Sequence, residues 1–493
     1  MITHKRLLQA LLALLLFIPA ASCEAQIAYE LSGTAEVRGL PHSARLIVVE
    51  DGRFRLDVDG PLGFHITHDG THTWRQFGGA PAQELQLVER DLALFSAWLT
   101  SGYWQAGGAP LERAHGSGGA VQMRLRDDLL TAIVSMAPGY RPTGLRFRDH
   151  PGQVRIGFSG ELEVNNRQFP SRITFFNAGP AWPELAFDTA EALNLANESM
   201  FDRPTTDTAD HRFSSSLPER LDFRRIASGH TLIRPQINGQ DFGWFLFDTG
   251  GVTTIVSSGV VESLGLQAYG ESRLGGVGGL GATTRAVPEV EMTLGPLVIH
   301  NLPVQTSPGD HMTMISEIAG EPVVGVIGWD LLIRSLVTLD MESGAVEIAD
   351  PAYNRIPEDI QSDLILHWRT PFIPAIFEGE HQGLFMLDTG AGGSGVGVIF
   401  PQYTVERLNL LEDRDTSPVD GHGAGGTVAM QLGSLDWLEV AGQRREAIPA
   451  AFSTEADNEG DPYSLGILGA AAFDGLSVQL DYANGLIAVV PIP

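Results

Sequence analysis

The sequence predicts a mostly β protein in two parts: a curved antiparallel sheet wrapped on one helix, then a duplicated two-lobed β unit. Three observations carry that expectation. Fifty-seven glycines and 29 prolines punctuate the 493 residues, a turn density that suits many short strands. Apolar residues over 26–201 alternate, or run in stretches of strand length, between turn signals. The second half repeats itself, with Asp248-Thr249-Gly250 and Asp388-Thr389-Gly390 standing 140 residues apart.

At the start, Lys5-Arg6 precede an apolar stretch from Leu7 to Ile18 broken only by Gln9. A basic region and a short apolar run of this kind make residues 1–25 a signal peptide, too short to span a bilayer. Ala20-Ala21-Ser22 lead into Cys23, the one cysteine. This resembles a bacterial lipoprotein signal, in which that cysteine is lipidated, although Ala20 stands where Leu is more usual. The alternative is ordinary cleavage near Ala25. Either way the chain is expected to be exported, to the periplasm or as an outer-membrane lipoprotein. The net charge of −28 disfavours nucleic acid and anionic membrane as partners, leaving membrane contact to an N-terminal lipid anchor. A lone cysteine gives no internal disulfide, so hydrophobic cores must carry stability.

Residues 26–201 read as one β domain, with strands at 27–37, 44–49, 53–58, 71–76, 120–125, 143–148, 153–163 and 169–176. Asp51-Gly52 and Asp69-Gly70 are hairpin turn signals between them. Leu92, Leu94, Phe95, Trp98 and Leu99 fall at helical spacing, placing one amphipathic helix near 88–103. His65, His68 and His72 lack the cysteine or acidic partners of a metal site and read as exposed hairpin histidines; no metal or cofactor is expected. Asp51-Gly52-Arg53-Phe54-Arg55-Leu56, Gly60-Pro61-Leu62-Gly63 and Asp69 to Trp74 give a turn-and-strand rhythm that resembles periplasmic lipoprotein carriers and receptors of the LolA/LolB type. That resemblance implies a half-barrel and a lipid or lipoprotein partner. Residues 202–222, rich in Pro, Thr, Ser and Asp, read as a linker. Beyond it the sequence divides into lobe one (223–350), a connection (351–364) and lobe two (365–493).

Each Asp-Thr-Gly closes a four-residue apolar run, Trp244–Phe247 or Leu384–Leu387, so a buried strand delivers a carboxylate to a sharp turn. The repeat continues downstream. Gly328 and Gly469, Asp340 and Asp481, and Gly344 and Gly485 are each 141 apart, the mark of a duplicated structural unit. The pattern resembles the retropepsin/pepsin-like aspartic peptidases over roughly 225 to 493. It implies a bilobal acid-protease β fold, Asp248 and Asp388 as the catalytic pair, and a peptide or protein substrate. It also implies that Thr249 and Thr389 cross-brace the two loops. Gly250 and Gly390 are expected to keep space for the lytic water.

Two carboxyls held close cannot both ionise, so they share a proton, and one can act as base while the other acts as acid. The glycine-rich stretches Gly275 to Gly281 and Gly421 to Gly426 each satisfy a dinucleotide-binding spacing, but extended chain follows where a helix is required. They fit flaps over an extended substrate, with Gly276, Gly278 and Gly279 in one lobe and Gly423, Gly425 and Gly426 in the other. Gly251 departs from the family's usual Ala, Ser or Thr, and Gly392-Gly393-Ser394-Gly395 is loose where apolar packing is expected. The competing reading is a non-catalytic periplasmic protein that binds peptide, lipid or lipoprotein on the same scaffold.

Overall fold

The computed structural model describes residues 27–492, apart from 116–119, 126–129, 140, 149–152, 180, 196, 206–208, 277–278, 309–311, 392–394, 424–425 and 456–462. The expected signal peptide and Cys23 lie outside the described residues.

The front part is a 13-stranded sheet whose neighbouring strands are all antiparallel, curled into a half-barrel. Its first strand, Ile27–Val37, sits mid-sheet between Leu40–Val49 and Leu185–Asn194. Strands Gln83–Glu84 and Leu111–His115 form the two edges. The helix expected near 88–103 runs Leu87–Ser101 and ends at Gly102, whose φ of +79° suits glycine. It lies in the concave face and is buried nearly all round, with Val88, Leu92, Phe95, Trp98 and Leu99 in the core. A helix buried on every side needs cover from both directions. The sheet supplies one cover. The other comes from lobe two, whose Tyr463, Trp368 and Leu384 join the half-barrel core.

Six strands were not expected: Phe64–His68, Gln83–Glu84, Leu111–His115, Thr131–Ala137, Arg167–Phe169 and Leu185–Asn194. The last is largely polar and becomes a strand by pairing from Ile27↔Asn194 to Ala35↔Leu185. The strand expected over 153–163 divides at Gly160, φ +66°. Its second piece, Leu162–Val164, pairs with Arg167–Phe169 in a separate ribbon. The three histidines also differ from expectation. His65 pairs with Asp57 at 2.7 Å, and only His72 is exposed. His68 is buried against Phe54 and Trp98, and burial pushes its pKa down to about 4.

The two lobes share one topology. In lobe one, Trp244–Phe247 runs parallel to Val323–Ile327, which is antiparallel to Ile255–Ser257. In lobe two, His381–Leu387 runs parallel to Ser464–Leu468, which is antiparallel to Val398–Phe400. A five-stranded sheet joins the lobes, with Leu336–Asp340 antiparallel to Leu476–Asp481. There Thr338 pairs with Gln479, its own counterpart 141 residues on. A local two-fold relation between the lobes therefore passes through that pair, and it faces the two Asp-Thr-Gly turns toward each other.

Parts of the segment expected as a linker, 202–222, have specific partners. His211–Phe213 pairs with Leu297–Ser307. Asp210 holds Arg334 through two hydrogen bonds of 2.9 and 2.5 Å, and just before the segment Phe201 packs with Ala28, Ile47 and Val49. Its polar composition suggested free chain, but those polar groups have specific partners. The connection 351–364 likewise contributes Ser362–Asp363 to the inter-lobe sheet.

Candidate active site

Each aspartate is set by the strand before it and by the apolar-apolar-glycine strand beside it. Asp248 N–H donates to Ile327 O at 2.9 Å, and Asp388 N–H donates to Leu468 O at 2.9 Å. The turn after Asp248 presses on Gly328 so closely that a Cβ there would stand 2.2 Å from Gly251 O, which only glycine tolerates. Within each turn, Gly250 N–H donates to Asp248 Oδ1 and Gly390 N–H to Asp388 Oδ1, both at 2.8 Å.

The loops are bound to each other by a reciprocal set of four bonds. Thr249 Oγ1 donates to Leu387 O (3.0 Å) and accepts from Thr389 N–H (2.9 Å). Thr389 Oγ1 donates to Phe247 O (3.2 Å) and accepts from Thr249 N–H (3.1 Å). Both threonines are buried, so these bonds form away from competing water. Gly250 and Gly390, expected to keep space for the lytic water, lie against the opposite aspartates. A Cβ on Gly250 would lie 2.6 Å from Asp388 Cγ, and one on Gly390 would lie 2.7 Å from Asp248 Cγ. Each glycine thus admits the carboxyl of the opposite lobe.

The two carboxyls lie close enough for each to shift the other's titration. Burial raises the pKa of Asp248, against the pull of bonds from Asp388 and the Gly250 and Gly251 amides. Burial, the charge of Asp248 and the bond to it raise Asp388 well above the ordinary carboxyl range. Both shifts run upward, so the pair shares a proton beyond the ordinary carboxyl range, and the titration belongs to the pair. Both residues are only half-buried, so the dyad keeps a path to solvent.

Three supporting residues escaped the sequence reading. His230 Nε2–H donates to Gly390 O at 3.0 Å, while its Nδ1 accepts from Ser228 Oγ at 2.8 Å. Burial lowers its pKa, which keeps the ring in the neutral form these bonds require. Tyr482 O–H donates to Thr249 O at 3.1 Å; burial and then the two carboxyl charges raise its pKa well above the ordinary value. Asp330 accepts from Thr254 N–H at 2.6 Å and from Thr253 Oγ1 at 3.2 Å. The repeat offered a signal for two of them. His230 stands 18 residues before Asp248 where Thr370 stands 18 before Asp388, and Tyr482 matches Met341 at the 141-residue offset. These are places where the duplicated lobes have diverged in chemistry.

The glycine-rich stretches are the ends of hairpins. Tyr269–Gly276 pairs with Gly279–Leu294, bringing Gly276 opposite Gly279. Ser417–Gly423 pairs with Gly426–Val440, bringing Gly423 opposite Gly426. Gly278 and Gly425 lie outside the described residues, as do Gly392, Gly393 and Ser394. Strand, not helix, follows each stretch, the requirement on which the dinucleotide pattern was set aside.

The aspartyl protease family model matches residues 233–331 and 373–472, one repeat in each lobe. Among solved structures the chain resembles basic 7S globulin from soybean at 11% identity and a TM-score of 0.31, over 57% of this chain and 95% of that one. No curated protein matches.

Proposed function

We propose that the protein is an exported aspartic endopeptidase that hydrolyses peptide bonds with a water activated by Asp248 and Asp388. The observation that supports this best is the meeting of the two carboxyls across Gly250 and Gly390, with both pKa values raised. The ionised carboxylate takes a proton from the water as its oxygen attacks the scissile carbonyl carbon. The protonated partner donates to the carbonyl oxygen, giving a neutral tetrahedral diol. Collapse of the diol breaks the C–N bond, with the amine leaving protonated and the dyad returned to one proton. The glycine-rich hairpins serve as flaps over an extended substrate.

A peptide-library digest across acidic to neutral pH, comparing wild type with Asp388→Asn, tests this reading. Cleavage is expected to pass through a maximum, since both the fully protonated and the fully ionised dyad lack one partner. Asp388→Asn is expected to lose roughly 10²-fold or more. A chain that binds peptides yet cleaves none at any pH would instead be the non-catalytic binding protein.

The basic and apolar leader with Cys23 supports export and attachment through a lipidated cysteine. Fatty-acid labelling and cell fractionation of wild type against Cys23→Ala check this. Label on both forms, or on neither, would remove the anchor.

A further inference from the structure

The half-barrel does not stand apart from the two lobes. It reaches the rim of the site with a cation, where a second cation from lobe two joins it. The turn between Ile27–Val37 and Leu40–Val49 carries Arg38 and packs on Gly270, where a Cβ would lie 2.3 Å from Arg38 O. Arg38 Nη1 donates to Ser272 Oγ (2.6 Å), on the first strand of the lobe-one flap hairpin, and to Gln305 Oε1 (2.5 Å). Arg369, in the turn of lobe two between Ile365–His367 and Thr370–Phe377, stacks on Phe77 of the half-barrel at 3.8 Å and on Trp329 at 4.8 Å. Its Nη1 reaches Val252 O at 3.4 Å, two residues past Gly250.

Both guanidiniums are half-buried, and among the described residues neither makes an ion pair. Around Arg369 lie two further cations, Arg38 and Arg75, and two carboxylates, Glu89 and Asp330. Glu89 is occupied on both oxygens, by Arg75 Nη1 at 2.7 Å and Trp368 N–H at 2.8 Å. Asp330 is engaged by Thr253 and Thr254. Burial lowers the pKa of Arg38 and of Arg369 to about 10 each, which still leaves both charged at neutral pH. Arg38 and Arg369 are thus without a carboxylate partner of their own among the described residues, in a protein of net charge −28. A sheltered cation without a counter-ion is costly unless a ligand supplies the anion.

We infer that Arg38 and Arg369 form a carboxylate-binding subsite where the half-barrel closes one side of the cleft, and that this subsite selects peptides carrying a carboxylate at that position. The unspent N–H groups of a guanidinium match the two oxygens of a carboxylate. The carboxylate belongs to an acidic side chain or to the peptide's C-terminus. The inference rests on the peptidase reading only for its location beside a substrate.

The test pairs peptides that differ by one charge. One arm scans Glu against Gln along a peptide that the wild type cleaves, and the other compares a free C-terminal acid with the amide. Each variant is scored by the acid-to-neutral ratio of kcat/KM, so a general loss cancels. Wild type is expected to favour the carboxylate at one position by about ten-fold, through KM, the scale of one charge-assisted hydrogen bond. Arg369→Gln and Arg38→Gln should each bring the ratio toward one. The arm that responds identifies the source. No preference in wild type, or a preference surviving both substitutions, overturns the subsite. Binding of the same peptides to Asp388→Asn, read by fluorescence anisotropy, separates the two proposals. Preferential binding without wild-type cleavage sinks the peptidase and keeps the subsite, whereas cleavage without preference does the reverse.

Discussion

The chemistry of this protein rests on a few residues whose neighbours set their charge. Asp388 lies against Gly250 and beside Asp248, so ionising it adds a second negative charge next to the first. Its raised pKa fixes the sign of a stability effect. Below the ordinary carboxyl pKa of about 4, Asp388 is protonated in the folded and unfolded chain alike and adds no pH dependence. As pH rises from there toward the raised value, the unfolded chain releases the proton while the folded one keeps it, and stability falls. Asp388→Asn removes that loss. Its melting temperature should match wild type near pH 4 and exceed it increasingly toward neutral pH, as followed by circular dichroism; a gap that does not change with pH would contradict the raised pKa. His230 and Tyr482 act on the same loops from opposite lobes, one on Gly390 O and the other on Thr249 O. The two-fold pattern of the motifs made the aspartates and threonines legible in the sequence. Supports that break the symmetry were not, because a lone His or Tyr between strands carries no local mark of what it touches.

At the scale of elements, the helix Leu87–Ser101 shows how far periodicity reaches. Its place and length could be read from Leu92, Leu94, Phe95, Trp98 and Leu99, but that pattern suggested one apolar face. Burial on all sides follows from a second cover, provided by lobe two hundreds of residues away. Trp98 is buried, donates its indole N–H to Gly52 O at 2.8 Å and packs edge-on to His68 and Tyr103. Trp98→Ala should therefore cost about 3–5 kcal/mol in denaturant unfolding. A cost below about 1 kcal/mol would mean that the helix is a loose lid and not part of a packed core. Strands with alternating or continuous apolar residues were legible in the same way. Leu185–Asn194 was not, since the pairing partner and not its own composition makes it a strand.

For the whole molecule, the half-barrel and the lobes are joined by contacts that composition concealed. Asp210 sits in a polar stretch with the look of free chain, yet it holds the buried Arg334. Hydrogen bonds and charge from Arg334, opposing its burial, keep its carboxyl well below the usual range. Asp210→Ala strands that guanidinium, and breaking a buried pair costs about 3–5 kcal/mol. A flexible-linker residue would cost under about 0.5 kcal/mol, a difference that urea melts at neutral pH resolve. Arg203, bonded to both Ala82 O and Ala483 O at 3.1 Å, spans the two parts in the same manner.

The sequence by itself determined the duplicated lobes, the two Asp-Thr-Gly turns, the glycine-rich hairpins and the β-rich front part. Each of these is written in local periodicity or in a spacing that repeats. Tertiary structure alone decided that Gly250 and Gly390 admit the opposite carboxyls, that Glu89 meets the backbone of Trp368, and that Arg38 reaches Gln305. Those partners lie 138 to 279 residues apart in the chain, and a side chain carries no record of a partner that only the docking of two folded surfaces brings to it.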